Sequence, residues 1–168
     1  DCIIALSWIN YIIKEKLYDE DFLINWSNAI FLVHGDDNLL VRESDVRKDG
    51  DRNNFVLWDK NKNKPIIWNS DVNWYADVDD DEEIAPALKG TYEVEFSDGK
   101  KVKCRTAFDA IVERVEEFTT DRASKVSGVP VRKIEGAARL YATNGPAFIG
   151  WGLGGGDQHG LNASNFRS

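Results

Sequence analysis

The spacing of apolar residues changes twice along this chain, and that switch limits the fold more than any single motif. From Cys2 to Leu17 the residues Leu6, Ile9, Ile13 and Leu17 recur at helical spacing, with Lys14, Glu15 and Lys16 closing the segment. A second helix is expected over Asp19–Trp26, because its opening Asp19-Glu20-Asp21 suits the positive end of a helix dipole. From Asn28 to Cys104 short apolar runs take over: Ile30–Val33, Leu39–Val41, Phe55–Trp58 and Ile66–Trp68. Turn signals such as Gly35-Asp36-Asp37-Asn38 and Asp49-Gly50-Asp51 divide them. The clearest hairpin is Thr91–Phe96, then Asp98-Gly99, then Lys100–Cys104, with Tyr92, Val94 and Phe96 alternating against Glu93 and Glu95.

Helical periodicity returns at Phe108, Ile111, Val112 and Val115. A short helix capped by the Thr120 hydroxyl follows, and another begins near Pro130. That helix carries Ile134, Ala137, Ala138 and Tyr141 inward and breaks at Asn144-Gly145-Pro146. The apolar run Ala147–Trp151 then reads as a buried parallel strand, and a glycine-rich loop leads to a helix start near Gln158. This order fits an α/β chain, a doubly wound domain interrupted by a β-rich insertion. The expected division is a helical part over 1–27, the insertion over 28–104, and the continuation of the α/β domain over 105–168.

A chain of 168 residues can bury one core of its own. Its 21 basic and 29 acidic residues give a net charge of −8, which argues against a nucleic-acid or anionic-membrane surface. Cys2 and Cys104 lie far apart and form no ligand spacing, so both are expected to be free, buried thiols. No apolar stretch approaches the ~20 residues that span a bilayer. The chain opens on Asp1 without a methionine and closes in mid-pattern, so it is read as a piece of a longer protein.

The segment that points to chemistry is Gly150-Trp-Gly-Leu-Gly-Gly-Gly-Asp-Gln-His-Gly160. Glycines after a strand let the backbone approach a ligand, and their amides with the next helix N-terminus can receive phosphate oxygens. Gln158 offers a donor and an acceptor together, which suits the edge of a heterocycle. Gly150, Gly152 and Gly155 satisfy GxGxxG, but no acidic residue follows at the distance a nicotinamide site requires. A structural glycine turn and a cofactor-contacting loop both remain open from the residues alone. His159 reads equally as a cofactor contact, a proton donor or a helix-start residue, whereas His34 reads as a surface or loop residue. Trp58, Trp68 and Trp74 suggest a hydrophobic cluster beneath hairpins rather than a sugar-binding face. The acidic run Asp77–Glu83 reads as a solvated loop, since it lacks calcium-loop spacing. No glycosidase carboxylate pair or Ser/His/Asp set stands out.

Two blocks carry a family resemblance. Ile9-Asn-Tyr-Ile-Ile-Lys-Glu-Lys-Leu-Tyr-Asp-Glu-Asp-Phe22 is one; Phe118–Ile134 followed by Ala137-Ala-Arg-Leu-Tyr-Ala142 is the other. In this order and separation they resemble the catalytic subunits of the molybdopterin oxidoreductases of the DMSO reductase family. The Trp151…Gln158 spacing is similar to the acetylene hydratase branch, and Leu40-Val-Arg-Glu-Ser-Asp-Val46 to polysulfide and thiosulfate reductases. The resemblance implies a Rossmann-like cofactor-binding domain in a soluble parent enzyme that holds molybdenum or tungsten in a bis-molybdopterin guanine dinucleotide. It implies that Trp151, Gly152, Gln158 and His159 contact the pterin or its phosphates, with Asp1 near the guanine end. The metal ligand and an iron–sulfur cluster are expected outside the matched stretch, so no catalytic or metal-binding residue is assigned here. The implied partners are the remaining domains of the catalytic subunit and an electron-transfer subunit. A non-redox hydratase of the same superfamily and a non-catalytic scaffold are the alternatives.

Overall fold

The structure, a computed structural model, describes residues 2–76, 78–79 and 82–149. The chain divides into two compact units, one of Asp1–Tyr18 with Val112–Ser168 and the other of Asp19–Ile111.

The Asp19–Ile111 unit begins with α1's successor in sequence, a short helix over Glu20–Trp26 (α2; α1 is Cys2–Lys14). Asp19 caps it, its Oδ1 accepting from the Phe22 amide at 2.9 Å. A 3₁₀ turn over Asn28–Ile30 leads to β1 (Leu32–His34), and a one-turn helix α3 (Glu43–Val46) follows. Then come β2 (Phe55–Asp59), β3 (Lys64–Asn69), β4 (Trp74–Tyr75), β5 (Thr91–Glu95) and β6 (Lys101–Thr106). They form two three-stranded antiparallel sheets, ordered β1-β6-β5 and β2-β3-β4. The β5–β6 hairpin forms as its alternation predicts, with Val94 and Cys104 fully buried. Its turn needs Gly99 at φ +82°, where a side chain would strain, and Asp98 Oδ1 accepts from the Lys100 amide. The core joins Leu32, Val41, Val56, Trp58, Ile67, Ala87, Val94 and Cys104.

Two buried carboxylates fix the loops of this unit. Glu43 accepts from Asn54 Nδ2 at 2.7 Å, Arg47 at 3.0 Å and the Asp51 amide at 3.3 Å, closing the turn-rich segment 47–54. Asp59, fully buried, accepts through Oδ1 from the amides of Asn61 and Ala85. The acidic run is therefore not wholly solvated. Lys62 pairs with Glu82, and Asn61 Nδ2 donates to the Glu83 carbonyl.

The other unit contains α1, the last turn of α4 (Ala107–Val115), α5 (Thr120–Ser127) and α6 (Val131–Thr143). The buried residues of α1 are Ser7 and Asn10, and Ile9 of the expected apolar face is exposed. Asn10 is buried by its hydrogen bonds: its Nδ2 donates to the carbonyls of Val115 (2.6 Å), the last residue of α4, and Glu116 (3.2 Å), just beyond it. The cap of α5 is Thr119 rather than Thr120, its Oγ1 accepting from the Arg122 amide. Gly128 ends that helix in the left-handed region at φ +74°, and Pro130 precedes α6 as expected. On α6, Ile134 and Ala138 are buried and Ala137 half-buried as expected, whereas Tyr141, expected inward, is exposed.

The chain is α/β. All paired strands among the described residues run antiparallel. The strand expected over Ala147–Trp151 is not formed in its described part, 147–149, where Phe148 is 90% exposed. A strand buried on both faces needs neighbours to complete its ladder, and no described strand pairs with this run.

Candidate functional site

All five residues expected at the cofactor, Asp1, Trp151, Gly152, Gln158 and His159, lie outside the described residues. What the structure shows is the framework from which the glycine loop departs. The last turn of α6 closes with the Asn144 amide donating to the Leu140 carbonyl at 3.2 Å. Asn144 Nδ2 reaches the same carbonyl at 3.1 Å, so the helix stops where the sequence break predicts. Residues 145–149 then lead to the loop.

Helix α1 braces α6. The rings of Trp8 and Tyr141 lie 6.0 Å apart, and Arg139 Nη2 donates to the Tyr11 hydroxyl at 2.9 Å and to Glu15 Oε2 at 2.8 Å. The Tyr11 hydroxyl, and after it the Glu15 carboxylate, hold the Arg139 guanidinium charged above its ordinary range. The second block is thus in direct contact with residues 9–18 of the first, the part of it that lies in this unit. Sequence periodicity did not reveal this: Arg139 and Tyr11 are 128 positions apart.

Neither cysteine forms a disulfide. Cys2 is half-buried and Cys104 buried. Burial, and then the charge of Asp45, push the Cys104 thiol up to about 11. His34 faces Cys104 across the β1–β6 ladder, with Nε2 3.7 Å from Asp45 Oδ2 and its ring edge-on to Phe96. The trio of Cys104, His34 and Asp45 brings three elements together, a juxtaposition no local motif announced. Burial thus favours the protonated form of the Cys104 thiol in this setting. His34 sits half-buried at a strand end rather than in a surface loop. Among the described residues no group of three or more His, Cys, Asp or Glu is placed to hold a metal ion. None of their helices is long and apolar enough to cross a membrane.

The tryptophans do cluster beneath the hairpins in part. Trp58 stacks on Tyr92 at 4.5 Å, and Trp68 meets Tyr75 edge-on at 5.3 Å. Trp74 is exposed.

No protein-family profile matches the chain. It is similar to perchlorate reductase subunit alpha of Dechloromonas aromatica, with 35% identity over 95% of this chain and 19% of the relative. It is also similar to dopamine dehydroxylase of Eggerthella lenta, with 27% identity over 92% of this chain and 22% of the relative. Dimethylsulfide dehydrogenase subunit alpha of Rhodovulum sulfidophilum matches at 23% identity over 84% of this chain and 15% of the relative. The chain spans about a fifth of the length of these curated relatives. With both sequence blocks inside the aligned length and in contact with one another, the chain belongs to the DMSO reductase family of molybdopterin oxidoreductases.

Proposed function

We propose that the chain is a stretch of the catalytic subunit of a molybdenum or tungsten oxidoreductase that contributes one wall of the site for a bis-molybdopterin guanine dinucleotide. The observation that carries this reading is the 35% identity with perchlorate reductase subunit alpha across 95% of the chain. In this reading Trp151, Gly152, Gln158 and His159 meet the pterin or its phosphates, and Asp1 lies near the guanine end. Glycine amides suit phosphate oxygens, and the Gln158 amide suits a heterocycle edge. Among the described residues no group of three or more His, Cys, Asp or Glu is placed to hold a metal ion. As the family resemblance implies, the metal ligand and the iron–sulfur cluster belong to other parts of the parent protein, and this stretch is inactive alone. When bound, the cofactor supplies the redox step and the protein supplies positioning and electrostatics. The apolar run at 147–151 completes its strand against sheet neighbours that the rest of the subunit supplies, and segment 28–104 decorates that domain as an insertion.

The test is the full-length protein, purified anaerobically from a host competent for cofactor synthesis and assayed for molybdenum, tungsten, iron and released pterin nucleotide. About one molybdenum or tungsten with two pterins per chain is the expected result. A soluble full-length protein with neither metal nor pterin would sink the proposal and leave the glycine loop a structural turn in a scaffold.

A further inference from the structure

The Asp19–Ile111 unit carries a recess of about 410 Å³ beside α2, lined by Trp26, Asn28, Ile30, Phe31, Trp68 and Asn73. Its floor is apolar and its polar lining is neutral, so it suits an uncharged side chain rather than an anion or a metal. The mouth is strongly apolar. Phe22 and Trp26, four residues apart and on one helix face, are 57% and 78% exposed. Val72 and Trp74, on either side of Asn73, are exposed as well. An aromatic group of this size left open to water is the signature of a contact surface, because buried tryptophans dominate interface energetics.

Two further observations identify the occupant. Asp19, Glu20 and Asp21 stand exposed at the start of α2, five to seven residues before Trp26 at its other end, and no lining residue is cationic, so this helix attracts a basic segment. The curated relatives that the chain matches are about five times longer than the aligned stretch, so most of such a catalytic polypeptide lies outside these 168 residues. We infer that the recess is an intramolecular docking site: another segment of the same catalytic polypeptide seats an apolar side chain against Trp26 and Trp68 and sets Lys or Arg against Glu20 and Asp21. This rests on the reading above that the chain is part of a longer catalytic subunit.

The test uses the full-length catalytic subunit, purified without other subunits and confirmed to hold metal and pterin. Hydroxyl-radical labelling reads the exposure of Phe22 and Trp26, and carbodiimide joins Glu20 or Asp21 to any amine in contact. Expected are labelling of Trp26 about tenfold slower than in the guanidinium-unfolded chain, as for a side chain sealed from water, and a cross-link from Glu20 or Asp21 to a lysine beyond residue 168 or preceding residue 1. Rapid labelling in the isolated subunit overturns the inference, whether or not a second subunit later protects Trp26. Protection without a basic cross-linked partner also overturns it. Absence of metal and pterin defeats the cofactor reading instead, so the two failures are distinguishable.

Discussion

The two units bury their residues in different ways. The Asp19–Ile111 unit closes an apolar core with its own side chains, and Leu32, Val41, Val56, Leu57, Ala87, Val94 and Cys104 are at most marginally exposed. The helical unit buries far less among its described residues: Val115, Ala123, Ile134 and Ala138, with the polar Ser7 and Asn10 beside them. Its apolar residues Ile9, Leu140, Phe148 and Ile149 remain exposed. One unit is therefore held mainly by the hydrophobic effect, the other by a thin apolar seam and specific hydrogen bonds. Patterning predicts the first kind of structure well and the second kind poorly.

The largest effect should come from the sealed core. Leu57→Ala, at a fully buried position, should cost about 3–5 kcal/mol because rigid sheets cannot collapse into the cavity. Ile134→Ala in the helical unit should cost less, about 2–3 kcal/mol, since helices can shift toward a lost side chain. Hydrogen exchange at the amides of β2 and β3 against those of α5 and α6 reads the two units separately. Equal losses would remove the contrast.

Alkaline titration sharpens it. The Cys104 thiol is raised from 9.0 to about 11, so between these values the folded state keeps a proton that the unfolded chain has lost. The stabilisation is complete below about pH 9 and disappears as the pH rises through about 11, an effect of at most about 3 kcal/mol. Burial also raises Tyr75 and Tyr92, with the charges of Asp59 and Asp109 adding to it, so both extend the loss in the same direction. Amide exchange in the β5–β6 hairpin should accelerate over this window, and Cys104→Ala should flatten the profile. A profile unchanged by Cys104→Ala would show that burial does not govern this thiol.

In the helical unit the corresponding weak point is Asn10. Removing its amide takes away the buried bonds to the Val115 and Glu116 carbonyls, while Val115 keeps the Phe118 amide at 2.9 Å, so Asn10→Ala should cost about 1 kcal/mol in urea unfolding. A change below about 0.5 kcal/mol, the level of a surface substitution, would mean water replaces the side chain.

The legible and illegible parts of the fold divide along the same line. Alternation at Tyr92, Val94 and Phe96, closed by Asp98-Gly99, fixes strand, face and turn locally, and the hairpin forms as read. On α1, Leu6 and Ile13 are half-buried and Ile9 is exposed, while the buried Asn10, which no apolar count picks out, is held by carbonyls 105 and 106 positions away. The run at 147–149 misled for a related reason: composition marks a strand suited to burial but cannot supply the neighbour that pairs with it. The glycine loop was conspicuous because its signal is conformational and local. Contacts that bring distant blocks together, such as Arg139 with Tyr11 and Glu15, leave no periodic trace.

The smallest predicted effect tests that lesson at two adjacent threonines. Thr119 and Thr120 are chemically identical, and either can cap a helix beginning near Asp121. In the structure Thr119 takes the cap, accepting from the Arg122 amide at 3.2 Å. Thr120 instead donates to Glu135 Oε1 at 2.8 Å, tying α5 to α6. Thr119→Ala should therefore cost about 1 kcal/mol and Thr119→Ser should recover most of it, because only the cap oxygen is needed. Thr120→Val should lose a tertiary bond, and its cost should shrink when Glu135→Ala, which removes the acceptor, is already present. If Thr120 proved additive with Glu135, and Ser restored stability at 120 but not at 119, the helix would start one residue later. The choice of cap would then be local, as the sequence reading had it, rather than set by the α5–α6 contact.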